Sequence, residues 1–143
     1  NILIDSSIWV SYFLGLKKNA PVCQKITRTI DKADTVFIPE IVYVEVLNVL
    51  IRLGKSEHSL GKVKKLFNSA KFDKIHNNHE FWFKKLEFYM KKVRLETQDL
   101  VILANNFERW PCILITGDKK LQNSYDFFHE NYEIIKSSVK KRK

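Results

Sequence analysis

Glu40 to Leu53, EIVYVEVLNVLIRL, is the stretch on which the fold turns. Its Val, Ile and Tyr content favours a strand, and taken that way it leaves the chain a run of strands. The polar residues decide otherwise. Glu45, Asn48 and Arg52 fall at i, i+3 and i+7, which is one helical stripe and not a period of two. The segment is a deeply buried helix with a single polar line, ended by Gly54.

With that helix in place, the flanking segments alternate in type. On the N-terminal side, Ile2-Leu3-Ile4 is a short buried strand ending at Asp5. Ser6 and Ser7 can cap a helix through Trp9, Val10, Phe13 and Leu14 to Gly15. A helix over Pro21 to Asp31 and a strand over Thr35 to Ile38, halted by Pro39, lead into the deciding stretch. Beyond Gly54, Ser56 starts a helix with Leu60, Val63 and Phe67 inward, and Phe72 to Ile75 is a third strand. Asn78 to Arg94 forms a long helix with Trp82, Leu86, Tyr89 and Val93 in register, which leaves Phe81 and Phe88 as a candidate exposed line for a partner. Thr97 can cap the next helix, which carries Asp99 in its first turn. Cys112 to Ile115 is the fourth strand, Asp118 to Gln122 a short helix, and Tyr132 to Ile135 the fifth strand. Strands separated by helices imply crossovers, and so an α/β/α sandwich around a mainly parallel five-stranded sheet.

The 143 residues make one domain, 1–143, with the basic tail 136–143 as its only segment expected to be disordered. With 45% hydrophobic and 13% aromatic residues, the chain can fill a core without staples. No apolar run is long enough to span a bilayer, and no signal-peptide pattern is present. Asn1 opens directly on a strand-like segment, as if the initiator Met had been removed or the chain trimmed. Cys23 and Cys112 stand in unrelated contexts without metal-ligand spacing, so reduced cytosolic thiols and a cytoplasmic location are expected. The net charge of +9 favours polyanionic partners, nucleic acid first among them.

Against that basic background four acids sit in apolar runs: Asp5, Glu45, Asp99 and Asp118. In a parallel sheet, ligands bind beyond the carboxyl ends of the strands at the topological switch point. Asp5 ends the first strand, and Asp118 follows the fourth with two residues between. Asp99 opens the helix leading into the fourth strand, and Glu45 lies one and a half turns into the helix after the second. All four can reach one edge. Two unit charges about 4 Å apart repel by about 4 kcal/mol at an effective dielectric near 20, so a cluster of four needs a counterion. Oxygen-only donors select hard cations, which points to Mg²⁺ or Mn²⁺ and away from zinc. Such an ion suits hydrolysis of a phosphodiester held by surrounding Lys and Arg.

These residues resemble, in order, the signatures of the PIN-domain family: Asp5 with Ser7, Pro39 leading to Glu45 with Asn48 and Leu50, Asp99 before Ile102 to Ala104, and Thr116 with Asp118. Size and arrangement are similar to VapC-type toxins within it, and the resemblance covers nearly the whole chain. It implies a Rossmann-like fold and a Mg²⁺- or Mn²⁺-dependent endoribonuclease, the toxin of a type II toxin–antitoxin pair. By the same resemblance Asp5 and Asp99 are the most direct metal ligands, and Asp118 and Glu45 complete the site. Ser7 and Thr116 orient carboxylates or waters. A homodimer and a small antitoxin protein are the implied partners beside RNA.

Blander readings stand beside these. Asp5 and Asp118 can be helix caps, Asp99 can favour a helix dipole, and Glu45 can pair with Arg52. Asn48 and Arg52 line the substrate cleft or form a solvated face, and Lys119 and Lys120 contact phosphate or only water. A non-catalytic RNA-binding module, or an RNA-processing nuclease with no antitoxin, is the alternative function. A phosphatase with a strand-end aspartate needs a second aspartate where Ser7 stands.

Overall fold

The deciding stretch is helical. In the structure, a computed structural model describing residues 1–16 and 20–140, Glu40–Arg52 forms one unbroken helix with Val42, Val46 and Leu50 buried. Gly54 ends it at φ +71, a left-handed conformation that glycine adopts without a Cβ clash.

Four strands form the sheet: β1 (Ile2–Ile4), β2 (Val36–Pro39), β3 (Phe72–Ile75) and β4 (Ile113–Ile115), in the order β3-β2-β1-β4 with every pair parallel. Between β1 and β2 run α1 (Ser6–Gly15) and α2 (Pro21–Lys32); between β2 and β3 run α3 (Glu40–Arg52) and α4 (Glu57–Phe67). The chain then returns past β2 and β1 through α5 (Leu86–Lys92) and α6 (Thr97–Glu108) to reach β4, and closes with α7 (Lys119–Glu130) and α8 (Tyr132–Lys140). Because β1 to β3 advance in one direction and β4 lies on the other side of β1, right-handed crossovers put the two helix groups on opposite faces. Accordingly α1 packs on α2 and α3, while α6 packs on α5, α7 and β4. The strand order reverses between β1 and β4, which makes that boundary the switch point.

The core is continuous from Ile2 to Ile135. On the α1 face Trp9 is fully buried against Phe13, Phe67 and Phe72, with ring centroids 5.9, 5.0 and 5.8 Å away. Truncating a ring buried this way costs about 3–5 kcal/mol, more than the about 1–3 kcal/mol lost because its Nε1–H finds no acceptor among the described residues. Trp9 thereby fixes α1 one turn from Asp5. On the other face α6 is buried from Leu100 through Phe107, so it is the central helix of that layer.

Three expectations are corrected. The fifth strand is absent among the described residues: Tyr132 to Ile135 opens α8. Tyr132 stacks on Trp110 at 4.4 Å and Ile135 is buried three residues on, a helical spacing, while Ile134 is 71% exposed. Where a fifth strand would pair with β4, the Tyr125 hydroxyl of α7 donates to the Cys112 carbonyl at 3.5 Å and bonds the Leu114 backbone. The tail expected to be disordered is helical through Lys140, and residues 141–143 lie outside the described residues. The short helix expected over Asp118 to Gln122 continues to Glu130.

Within the long helix, a π-helical turn at Phe81–Lys85 precedes α5. It inserts one residue into the register, so Phe81, Leu86 and Tyr89 face the core while Trp82 is 37% exposed. Phe81 is therefore core, and the exposed pair is Trp82 and Phe83.

Candidate active site

The site grows from the β1–β4 pairing. Ile4 pairs with Ile115, and the Asp5 amide donates to the Ile115 carbonyl at 2.9 Å, carrying the ladder one step past the strands. Asp5 and Thr116 thus emerge side by side, and the Thr116 hydroxyl donates to Asp5 Oδ2 at 2.8 Å. Ser7 donates to the same oxygen at 3.2 Å. Asp5 stands at the N-cap position of α1, yet its side chain makes no capping bond, so the buried carboxylate faces the site instead. Ser6 and Ser7, expected as caps, lie in the first turn of α1 and serve carboxylates.

Ser6 joins three elements. Its hydroxyl donates to Glu45 Oε2 of α3 at 2.8 Å and accepts from Gln98 Nε2 of α6 at 3.0 Å. Asp5 Oδ1 lies farther off, at 3.4 Å, and a hydroxyl has one proton to give, so Glu45 receives it. Thr116 Oγ1 in turn accepts from the Asp118 amide at 3.0 Å. Asp118 does cap α7, its Oδ1 accepting from the Leu121 amide at 2.8 Å, and it is exposed. The N-cap of α6 is Glu96 rather than Thr97, and it makes no side-chain cap bond.

Asp5, Glu45, Asp99 and Asp118 line one cleft of about 480 Å³. Glu96 joins them there, and Val10 and Val49 supply apolar wall. Asp99 feels the crowding. Burial first, then the charges of Asp5, Asp118, Glu45 and Glu96, push its carboxyl up from 3.8 to about 6. Among the described residues none of these acids has an ion-pair partner. Nor do any three His, Cys, Asp or Glu side chains stand as a closed metal cage among those residues. The acids line the cleft from four elements. In donor chemistry, though, the set fits a hard divalent ion: it is all oxygen and strongly anionic.

The remaining candidates lie outside this cleft. Asn48 and Arg52 are exposed on α3 and do not line it, and no ion pair joins Arg52 to Glu45 among the described residues. Lys119 and Lys120 are exposed at the start of α7, and Lys120 lines a neighbouring cleft. Sequence reasoning overlooked Gln98, Glu96 and the bridging part of Ser6. Glu96 sits three residues before Asp99 and Val49 one turn from Glu45, so spacing could have raised both, whereas Gln98, adjacent to Asp99, carried no such signal.

The family model of the PIN domain matches residues 2–126. The chain belongs to the PIN-domain family. PIN domains are generally metal-dependent nucleases acting on RNA. No curated protein and no solved structure matches the chain. The matched span takes in β1 to β4 and the elements carrying all four acids, and it ends within α7. The PIN sheet here has four strands, and no helix among the described residues is long and apolar enough to cross a membrane.

Proposed function

We propose that this PIN domain is a Mg²⁺- or Mn²⁺-dependent endoribonuclease with Asp5, Glu45, Asp99 and Asp118 as its metal-holding carboxylates. The observation that carries this is the meeting of four carboxylates from β1, α3, α6 and the β4–α7 turn in one cleft at the switch point, with no side-chain cation among them. A bound ion supplies Lewis-acid polarisation of the phosphodiester and activation of the attacking water.

The chain's own residues prepare that chemistry. Thr116 and Ser7 fix the orientation of Asp5, and Ser6 fixes Glu45. Burial and the neighbouring carboxylates raise the Asp99 carboxyl to about 6, so that without an ion it gives up its proton only just below neutral pH. Val10 and Val49 add apolar surface to the cleft. Asp118, already bonded through Oδ1 to α7, has Oδ2 left for the ion.

The role as toxin of a type II pair, in the cytoplasm, with a small antitoxin protein and a homodimeric assembly, rests on the likeness in size and motif order to VapC-type toxins. Incubation with total RNA, with and without Mn²⁺, tests the enzyme: cleavage should require the ion and vanish in Asp5→Asn and Asp99→Asn. Cleavage surviving both substitutions and excess EDTA overturns the mechanism. Growth arrest on expression, relieved by the product of an adjacent short reading frame, tests the toxin role.

A further inference from the structure

Beside the acid cleft lies a second cleft of about 370 Å³, and Glu96 forms a wall of both. Its floor is apolar: Leu100 is 4% exposed, Val93 is partly buried, and Met90 stands on the rim at 51% exposure. Two cations edge it. Arg94 leaves the end of α5, and Lys120 stands in the first turn of α7, two residues past Asp118. Both are exposed, and neither joins an ion pair among the described residues, whereas nearby Lys91 is held by Glu87 at 3.0 Å.

This order of surfaces has a chemical reading. A polyanion cannot rest along the acids without the ion, but one step past Asp118 it meets a guanidinium and an ammonium free to take phosphate oxygens. Met90, Val93, Leu95 and Leu100 line the same cleft with apolar surface against which a base can lie. Cationic edges over apolar contacts are the recognition chemistry of single-stranded nucleic acid, whose unpaired bases offer a face and whose phosphates offer charge. A run of carboxylate side chains would use the cations but has no flat ring for the floor.

We propose that this second cleft holds the nucleotide flanking the scissile bond of single-stranded RNA, with Arg94 and Lys120 on its phosphate and Met90 and Val93 against its base. The proposal rests on the endoribonuclease reading for what happens next door, but binding tests it separately. Fluorescence anisotropy of a labelled single-stranded oligoribonucleotide is measured on Asp5→Asn protein, which binds without cutting, and on the same protein carrying Arg94→Ala and Lys120→Ala. The double change should weaken binding about tenfold and flatten the salt dependence of log affinity by about 1.4, the expectation for two lost phosphate contacts. Arg94→Lys with Lys120→Arg should restore most of it. In otherwise wild-type protein with Mn²⁺, the alanine pair should raise KM for a long RNA.

Equal affinity and equal salt slope in both proteins overturn the proposal, as does polyglutamate binding as tightly as RNA of matched charge. If binding depends on Arg94 and Lys120 while wild type never cleaves, the cleft stands and the enzymatic reading falls.

Discussion

The Ser6 hydroxyl donates to Glu45 Oε2 at 2.8 Å and ties the helix after β1 to the helix after β2. Ser6 is 2% exposed and also receives Gln98 from α6, so one small side chain sets the relative height of three carboxylate-bearing elements. Ser6→Ala should cost about 1 kcal/mol of stability, the usual net loss for such bonds. It should also weaken Mn²⁺ affinity about tenfold or more, as loss of a ligand's supporting partner does. Urea unfolding and Mn²⁺ titration of the same variant separate the two. A stability loss with unchanged Mn²⁺ affinity would show that Ser6 is only mortar.

Asp99 makes the metal-free protein sensitive to pH. Its folded-state carboxyl titrates near 6 against 3.8 for the free group, so the stability tied to it is fully present below 3.8 and is lost as pH rises through 6. Asp99→Asn mimics the protonated form and removes the repulsion. In EDTA the variant should melt at the same temperature as wild type near pH 3.5, then gain on it up to pH 7. Asp99 is partly exposed, so screening limits the gain to a few degrees. Saturating Mn²⁺ should reverse the ranking at pH 7. A melting difference that stays flat across this range would rule out the repulsion.

The π-helical turn makes a sharp distinction between neighbours. Phe81 is 5% exposed and Trp82 37%. Phe81→Ala should therefore cost about 3–5 kcal/mol, and Trp82→Ala about 1 kcal/mol or less. Denaturant midpoints of the two variants decide it, and a reversed order would mean that the helix runs through without the extra residue.

Legibility in the sequence followed the scale of the signal. The polar stripe in Glu40–Arg52 identified α3 because three polar residues at helical spacing outvote β-branched propensity. Strand-end positions put Asp5 and Asp118 at one edge of a parallel sheet, because alternating strands and helices imply crossovers, and the order β3-β2-β1-β4 then places them on either side of the switch point. Tyr132 to Ile135 misled because two adjacent isoleucines fit either period, and contacts far away in sequence, Tyr132 on Trp110 and Phe107 with Ile135 buried three residues on, select the helix. Phe81 misled because a π turn has no sequence mark and shifts every later residue by one. Ser6 looked like a cap, and its partners Glu45 and Gln98 lie 39 and 92 residues away.

Asn77 and Asn105 form a closed pair, each amide nitrogen donating to the other's oxygen at 2.8 and 3.0 Å, both side chains buried. Asn77 lies just past β3 and Asn105 lies in α6, so the pair pins α6 to the sheet end from which Asp99 reaches the cleft. Asn105 also receives Arg109 through its Oδ1 at 3.3 Å, and the Arg109 guanidinium lies over the Phe37 ring of β2. Asn105→Ala leaves the buried Asn77 amide without its partner, a loss of about 1–3 kcal/mol, whereas Asn77→Ala leaves Asn105 its bonds to the Val101 carbonyl and Arg109. Removing both leaves no orphan across the pair. The Asn77→Ala, Asn105→Ala cycle should therefore be less than additive, with a coupling on the order of 1–2 kcal/mol. The single changes should also lower RNA cleavage, because a loosened α6 carries Asp99 and Gln98 with it. Unfolding free energies that simply add would mean that the two side chains do not act as a pair.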